Sequence, residues 1–70
     1  MSHKLLVVIH TINGSVYETY TSSSKELLIN KLPKDILHKS DCEDLLYYGN
    51  HKEHIGNTKH CFYYNSINTI

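Results

Sequence analysis

The sequence predicts a small α+β fold: an antiparallel sheet of ββαββ-like order, with one short capped helix packed on an N-terminal hairpin. Three observations carry this reading. Lys4 to Ile12 is β-branched and apolar, Asn13-Gly14 is the favoured pair for a two-residue type I′ turn, and Ser15 to Thr21 resumes a Val-, Tyr- and Thr-rich strand pattern. Seventy residues hold a single small domain, 1–70, with no room for a separate catalytic domain.

In the hairpin, the two-residue turn sets a register. Thr11 falls opposite Val16, Ile9 opposite Glu18 and Val7 opposite Tyr20 on one side. His10 falls opposite Tyr17, Val8 opposite Thr19 and Leu6 opposite Thr21 on the other. The first strand is apolar on both faces, which suits an interior position in the sheet rather than an edge. Ser22-Ser23-Ser24 then interrupts the strand pattern. Ser23, with Glu26 three residues later, forms a capping box in which each side chain satisfies an unpaired backbone N–H. Leu28, Ile29 and Leu32 give the following helix an apolar stripe, and Pro33 disfavours helical geometry at Leu32. Two turns are marginal alone, so the stripe must dock on the hairpin.

The middle of the chain supports two readings. In one, Pro33 opens a second short helix through Lys39. Ser40 and Glu43 then cap a third, Asp41 to Tyr48, which ends at Gly49, so helix occupies a stretch near 34–48. In the other, Leu45 to Ile55 is a strand turning at Gly56-Asn57 into a strand from Thr58 onward. That register sets His51 opposite Phe62, Glu53 opposite His60 and Leu46 opposite Ile67. The hairpin is the favoured reading, because the β-like tail from His60 to Ile70 needs a partner.

Composition narrows the function. Seven Lys balance seven Asp and Glu, and Arg, Ala, Gln and Trp are absent, while Tyr and His number six each. This excludes a strongly basic nucleic-acid module and a strongly acidic mimic of one. The longest apolar run, Leu5 to Ile9, excludes a membrane-spanning helix. No signal peptide precedes the first strand, so a cytoplasmic, reducing setting is expected for Cys42 and Cys61, and Asn13-Gly14-Ser15 reads as a turn rather than a glycosylation site. Residues 22–40 are Lys-bearing and 41–54 acidic, a dipolar arrangement that reads foremost as a solvated face.

Metal chemistry draws on His51, His54, His60 and Cys61. Zinc favours these ligand types, but no paired knuckle spacing is present. On a strand, His51 and His54 face opposite ways, as do His60 and Cys61, so no metal site and no cofactor are expected. Nothing positions a cysteine or serine beside a histidine as a nucleophile, and three isolated glycines make no phosphate loop, so the chain is read as a non-enzyme. A nucleic-acid regulator would use Lys25, Lys31, Lys34 and Lys39. Without Arg it lacks bidentate guanine reading, and zero net charge limits counterion release, so nucleic acid is the less favoured partner.

The abundance of Asn, Lys, Ile and Tyr, together with the missing Ala and Arg, resembles in style the very small accessory proteins of phages and mobile elements. With no catalytic set, a thin core and many Tyr, the chain is expected to be a small protein-interaction module, and the resemblance implies that it inhibits or modulates a host protein. A β-edge and exposed tyrosines would form the contact surface, which a homodimer could share. Tyr47, Tyr48, Tyr63 and Tyr64 are the expected contact residues, since Tyr supplies both apolar area and a hydroxyl at interfaces. A metal-stabilised structural module is the third alternative.

Overall fold

The computed structural model describes residues 3–69. Strands β1 (His3–Ile12) and β2 (Ser15–Ser22) are followed by helices α1 (Lys25–Lys31) and α2 (Lys39–Tyr48), then by strands β3 (Asn50–Ile55) and β4 (Thr58–Thr69). The four strands form one antiparallel sheet in the order β2-β1-β4-β3. Both helices lie on the same side of it. The molecule is elongated, 45 × 23 × 18 Å, because β1 and β4 run beside each other through the middle of the sheet. None of the described helices is long and apolar enough to cross a membrane.

The first hairpin forms around the expected turn, with Asn13 (φ 50°) and Gly14 (φ 87°) in the left-handed region that a type I′ turn requires. Its register departs from expectation two pairs beyond the turn. Thr11 faces Val16, but a bulge follows, so that His10 faces Glu18, Val8 faces Tyr20 and Leu6 faces Ser22. Tyr17 is the extra residue and sets its ring edge-on against His10, 5.2 Å between centroids. The slip moves Tyr20 to the helix side, against the core, and Thr19 and Thr21 to the other side.

The cap of α1 is Ser24 rather than Ser23: its hydroxyl accepts the Leu27 N–H at 3.2 Å. Leu28 and Leu32 are buried as the stripe predicts, and the helix stops before Pro33. Residues 33–37 make a turn instead of a second helix, with the Ile36 and Leu37 amides donating to the Pro33 carbonyl. This lowers Leu37, fully buried, onto the core.

The favoured strand over Leu45 to Tyr48 is replaced by helix α2. Cys42 and Leu45, one turn apart, are both buried by it, and Gly49 ends it in the left-handed conformation (φ 87°) with its N–H on the Leu45 carbonyl. The cap is His38 rather than Ser40, and α2 starts at Lys39: the Asp41 carboxylate, not Glu43, accepts the cap residue's backbone N–H, here that of His38 at 3.0 Å. The second hairpin keeps its expected register from Asn50 onward, with His51 opposite Phe62 and Glu53 opposite His60. Leu46 does not meet Ile67, which pairs with Leu5 instead. The β-like tail does need a partner, and β1 supplies it; Ile70, the end of the expected strand, lies outside the described residues.

The core lies between the helices and one side of the sheet: Leu6, Val8 and Phe62 from below, Leu28, Leu32, Leu37, Cys42 and Leu45 from above. Each fully buried aliphatic or aromatic side chain contributes about 1.5–3 kcal/mol. Asn13 ties the first turn to β4, donating its N–H to the Lys59 carbonyl and accepting the Lys59 N–H on its side chain.

Candidate functional site

Two features stand apart from the core. The first is the side of the sheet that the helices leave open. Since Leu6, Val8, His10, His60 and Phe62 point at the helix layer, strand alternation sends Leu5, Val7, Ile9 and Thr11 of β1 the other way. Cys61, Tyr63, Asn65 and Ile67 of β4 join them, paired in register. Ile9 lies opposite Tyr63 and Leu5 opposite Ile67, and these four side chains are 36–47% exposed. Antiparallel sheets with one solvated face ordinarily turn polar residues to water. Here the two central strands turn aliphatic and aromatic residues both ways.

Charge on this face has one sign. Lys52 and Lys59 flank Cys61 at one corner, with His54 opposite Lys59. All seven carboxylates sit elsewhere: Glu18 and Glu53 lie opposite His10 and His60 on the helix side, and Glu26, Asp35, Asp41, Glu43 and Asp44 belong to the helices and their connection. The zero net charge is thus divided between a positive sheet face and a negative helix layer.

The second feature is a belt of histidines and carboxylates on the helix side of the sheet. His10 and His60 are buried and share a hydrogen bond, Nε2 to Nδ1, of 2.9 Å. His10 also stacks on Phe62, with centroids 4.1 Å apart. Its other nitrogen, Nδ1, is buried without a partner. Burial pushes the His10 imidazolium below its usual range, His60 adds to the effect and Glu18 opposes it. The neutral tautomer that fits best carries its proton on Nε2, because the unpartnered Nδ1 is then a bare acceptor and not a stranded donor.

Across the strand from His60, Glu53 Oε2 lies 3.2 Å from His51 Nε2, which is 3.9 Å from Asp41 Oδ1. His38 Nδ1 lies 3.9 Å from Asp41 Oδ2. The register of β3 and β4 and the start of α2 assemble this cluster, and no single stretch of sequence contains it.

The sequence-predicted residues are distributed over several surfaces. Tyr47 and Tyr48 project from the end of α2, strongly exposed and edge-on to each other at 4.8 Å. Tyr63 is on the open face, while Tyr64 points to the helix side and packs against the core. Lys25 and Lys39 open the two helices. The Lys31 ammonium donates to the Thr21 carbonyl at 2.7 Å, and the Lys34 ammonium to the Ile29 and Leu32 carbonyls at the end of α1. Lys31 thus ties α1 to β2 and Lys34 closes the end of α1, rather than either being held out towards a phosphate. Of the metal-ligand types, His54 and Cys61 face the open side, His60 turns to His10, and His51 meets Asp41 and Glu53. Cys42 and Cys61 are free thiols, and burial raises the Cys42 thiol above its usual range, so it behaves as a core side chain.

The exposed apolar face was legible only in part: β1's two apolar sides are visible in the sequence, but which side the helices cover is not. No protein-family model matches the chain, and neither the curated proteins nor the solved structures provide a match, so the functional reading rests on these two features.

Proposed function

We propose that this chain is a non-catalytic protein-interaction module that binds its partner on the open face of the sheet. The observation that supports the reading is the apolar strip Leu5, Val7, Ile9, Tyr63 and Ile67 on a face where none of the described residues places a carboxylate. Contiguous exposed apolar surface of this kind marks contact sites in small proteins. At about 4.8 Å between strands and about 3.3 Å per residue, the face offers about 600 Å². Covering it would bury about 1,200 Å² in total, the lower end of specific interfaces.

Its occupant is a partner protein with an apolar patch edged by carboxylates, to meet Lys52 and Lys59. A second copy of the chain fits less well, because face-to-face pairing would enclose both lysine corners with no acid to neutralise them. Single-stranded nucleic acid also fits less well, since Tyr63 is the lone aromatic ring among the described residues of this face. A cytoplasmic host protein, inhibited or modulated by this chain, is the partner class that the resemblance to phage and mobile-element accessory proteins implies.

A photo-crosslinking residue placed at Ile9, and separately at Asn30 on α1, tests the reading in cells. The expected result is a protein adduct from position 9 that Ile67→Glu abolishes and Lys52→Glu weakens, with nothing comparable from position 30. Adducts to a second copy or to nucleic acid, adducts insensitive to Ile67→Glu, or none at all would each overturn it.

A further inference from the structure

We propose that Asp41, His51 and Glu53 form a binding site for a divalent transition-metal ion of the zinc class. This is independent of the interaction reading, since the cluster lies on the helix side of the sheet. One nitrogen and two carboxylate oxygens, drawn from the first turn of α2 and from β3, lie within 4.8 Å of one another. Bonds of about 2.0–2.1 Å to a tetrahedral zinc ion set its ligand atoms about 3.4 Å apart. The His51–Glu53 separation of 3.2 Å and the His51–Asp41 separation of 3.9 Å already approach that spacing.

The ligands come from a held framework. Asp41 Oδ2 accepts the His38 backbone N–H at 3.0 Å, so this carboxylate is fixed at the helix start while Oδ1 lies towards His51. Such outer contacts orient metal ligands in established sites. His51 is anchored on edge strand β3, where Asn50 and Lys52 on either side of it pair with β4, and its side chain is 17% exposed, which limits its rotamers but leaves an ion access past the 40% exposed Glu53.

Electrostatics point to a cation as well. Among the described residues, no lysine pairs with Asp41 or Glu53; the basic side chains beside them are the imidazoles of His51 and His38. Glu43 and Asp44 on the same helix add negative potential nearby. An imidazole with two carboxylates and a vacant coordination position suits zinc or a neighbouring first-row ion over calcium, which takes oxygen ligands alone. The exposed His38 ring, 3.9 Å from Asp41, stands where it can become a fourth ligand in place of water.

The test is a titration of the metal-free full chain with zinc chloride, read by calorimetry and thermal melting, alongside the variants His51→Gln, Glu53→Gln and His54→Gln. One equivalent should bind, and at a hundredfold excess over Kd the melting temperature should rise by about 10–20 °C. His51→Gln and Glu53→Gln should each weaken binding at least about tenfold, whereas His54→Gln, on the opposite face of β3, should leave it unchanged. In the wild-type chain, the His51 ring signals in a proton NMR spectrum should shift with zinc while those of His10 and His54 stay in place, a readout that needs no variant to fold. The absence of saturable binding would leave the cluster as a histidine–carboxylate ion pair only and overturn the proposal. Binding that survives both ligand variants, or shifts at His54 in place of His51, would equally overturn it.

Discussion

Replacing His10 with Phe should flatten the dependence of stability on pH between neutrality and mild acid. In the folded chain His10 is 1% exposed, its Nε2 is bonded to His60 and its Nδ1 has no partner. Protonation would therefore create a buried, unpaired N–H beside a second imidazole, while in the unfolded chain His10 titrates in water near 6.5. The direction follows from linkage: a histidine whose folded pKa is depressed leaves stability intact above 6.5. It then costs about 1.4 kcal/mol per pH unit from 6.5 down to its folded pKa, and nothing further below that. A chain of this size has roughly 4–10 kcal/mol in all at 0.05–0.15 kcal/mol per residue, so one unit of acidification is a readable fraction. Phe keeps the stack on Phe62 and the edge contact with Tyr17, and it cannot titrate. Urea unfolding at pH 7.5, 6.5, 6.0 and 5.5 should show the two proteins diverging below 6.5, wild type falling faster. The remaining histidines, His60 included, are common to both chains, so the difference reports on His10. Parallel curves across that range would refute the reasoning.

Other expectations are more local. Ser24→Ala should cost about 1 kcal/mol through loss of the helix cap, whereas Ser23→Ala should be close to neutral, a contrast that chemical denaturation resolves. Gly49→Ala should cost about 1 kcal/mol for conformational reasons alone, since a Cβ there meets only the Tyr64 carbonyl oxygen at 3.9 Å; a loss above about 3 kcal/mol in the same assay would contradict this. Leu37→Ala should cost about 3 kcal/mol even though it lies in a turn, because its side chain is fully buried in the core; thermal melting of the variant checks it.

Local chemistry made the two hairpins readable. Asn13-Gly14 and Gly56-Asn57 each lie between β-rich runs, and the register of the second follows from its two-residue turn without correction. What local chemistry could not show was the bulge at Tyr17. The bulged Tyr17 sets its ring against His10, and His10 in turn stacks on Phe62, a residue of the last strand. Leu45 to Tyr48 was assigned to a strand for a similar reason. The tail does need a partner, and its first part, to Tyr63, finds β3; from Asn65 to Thr69 the partner is β1, and only long-range pairing distinguishes the two. The His51 cluster was half visible: its strand register places Glu53 and His51 on one face, but Asp41 joins them only once the connection folds as α2.

Placing the first and last strands side by side at the centre of the sheet also fixes the order in which the chain can fold. The β1–β2 and β3–β4 hairpins close over short loops and can form early. The β1–β4 ladder, from Ile12↔His60 out to His3↔Thr69, requires closure of a loop that contains both helices and both outer strands. Such non-local pairing slows folding. During synthesis the N-terminal hairpin is complete while β4 is still untranslated, so β1 then has one unpaired edge between two apolar faces. Of all the strands, β1 is the one that must be shielded from self-association until residues 58–69 arrive.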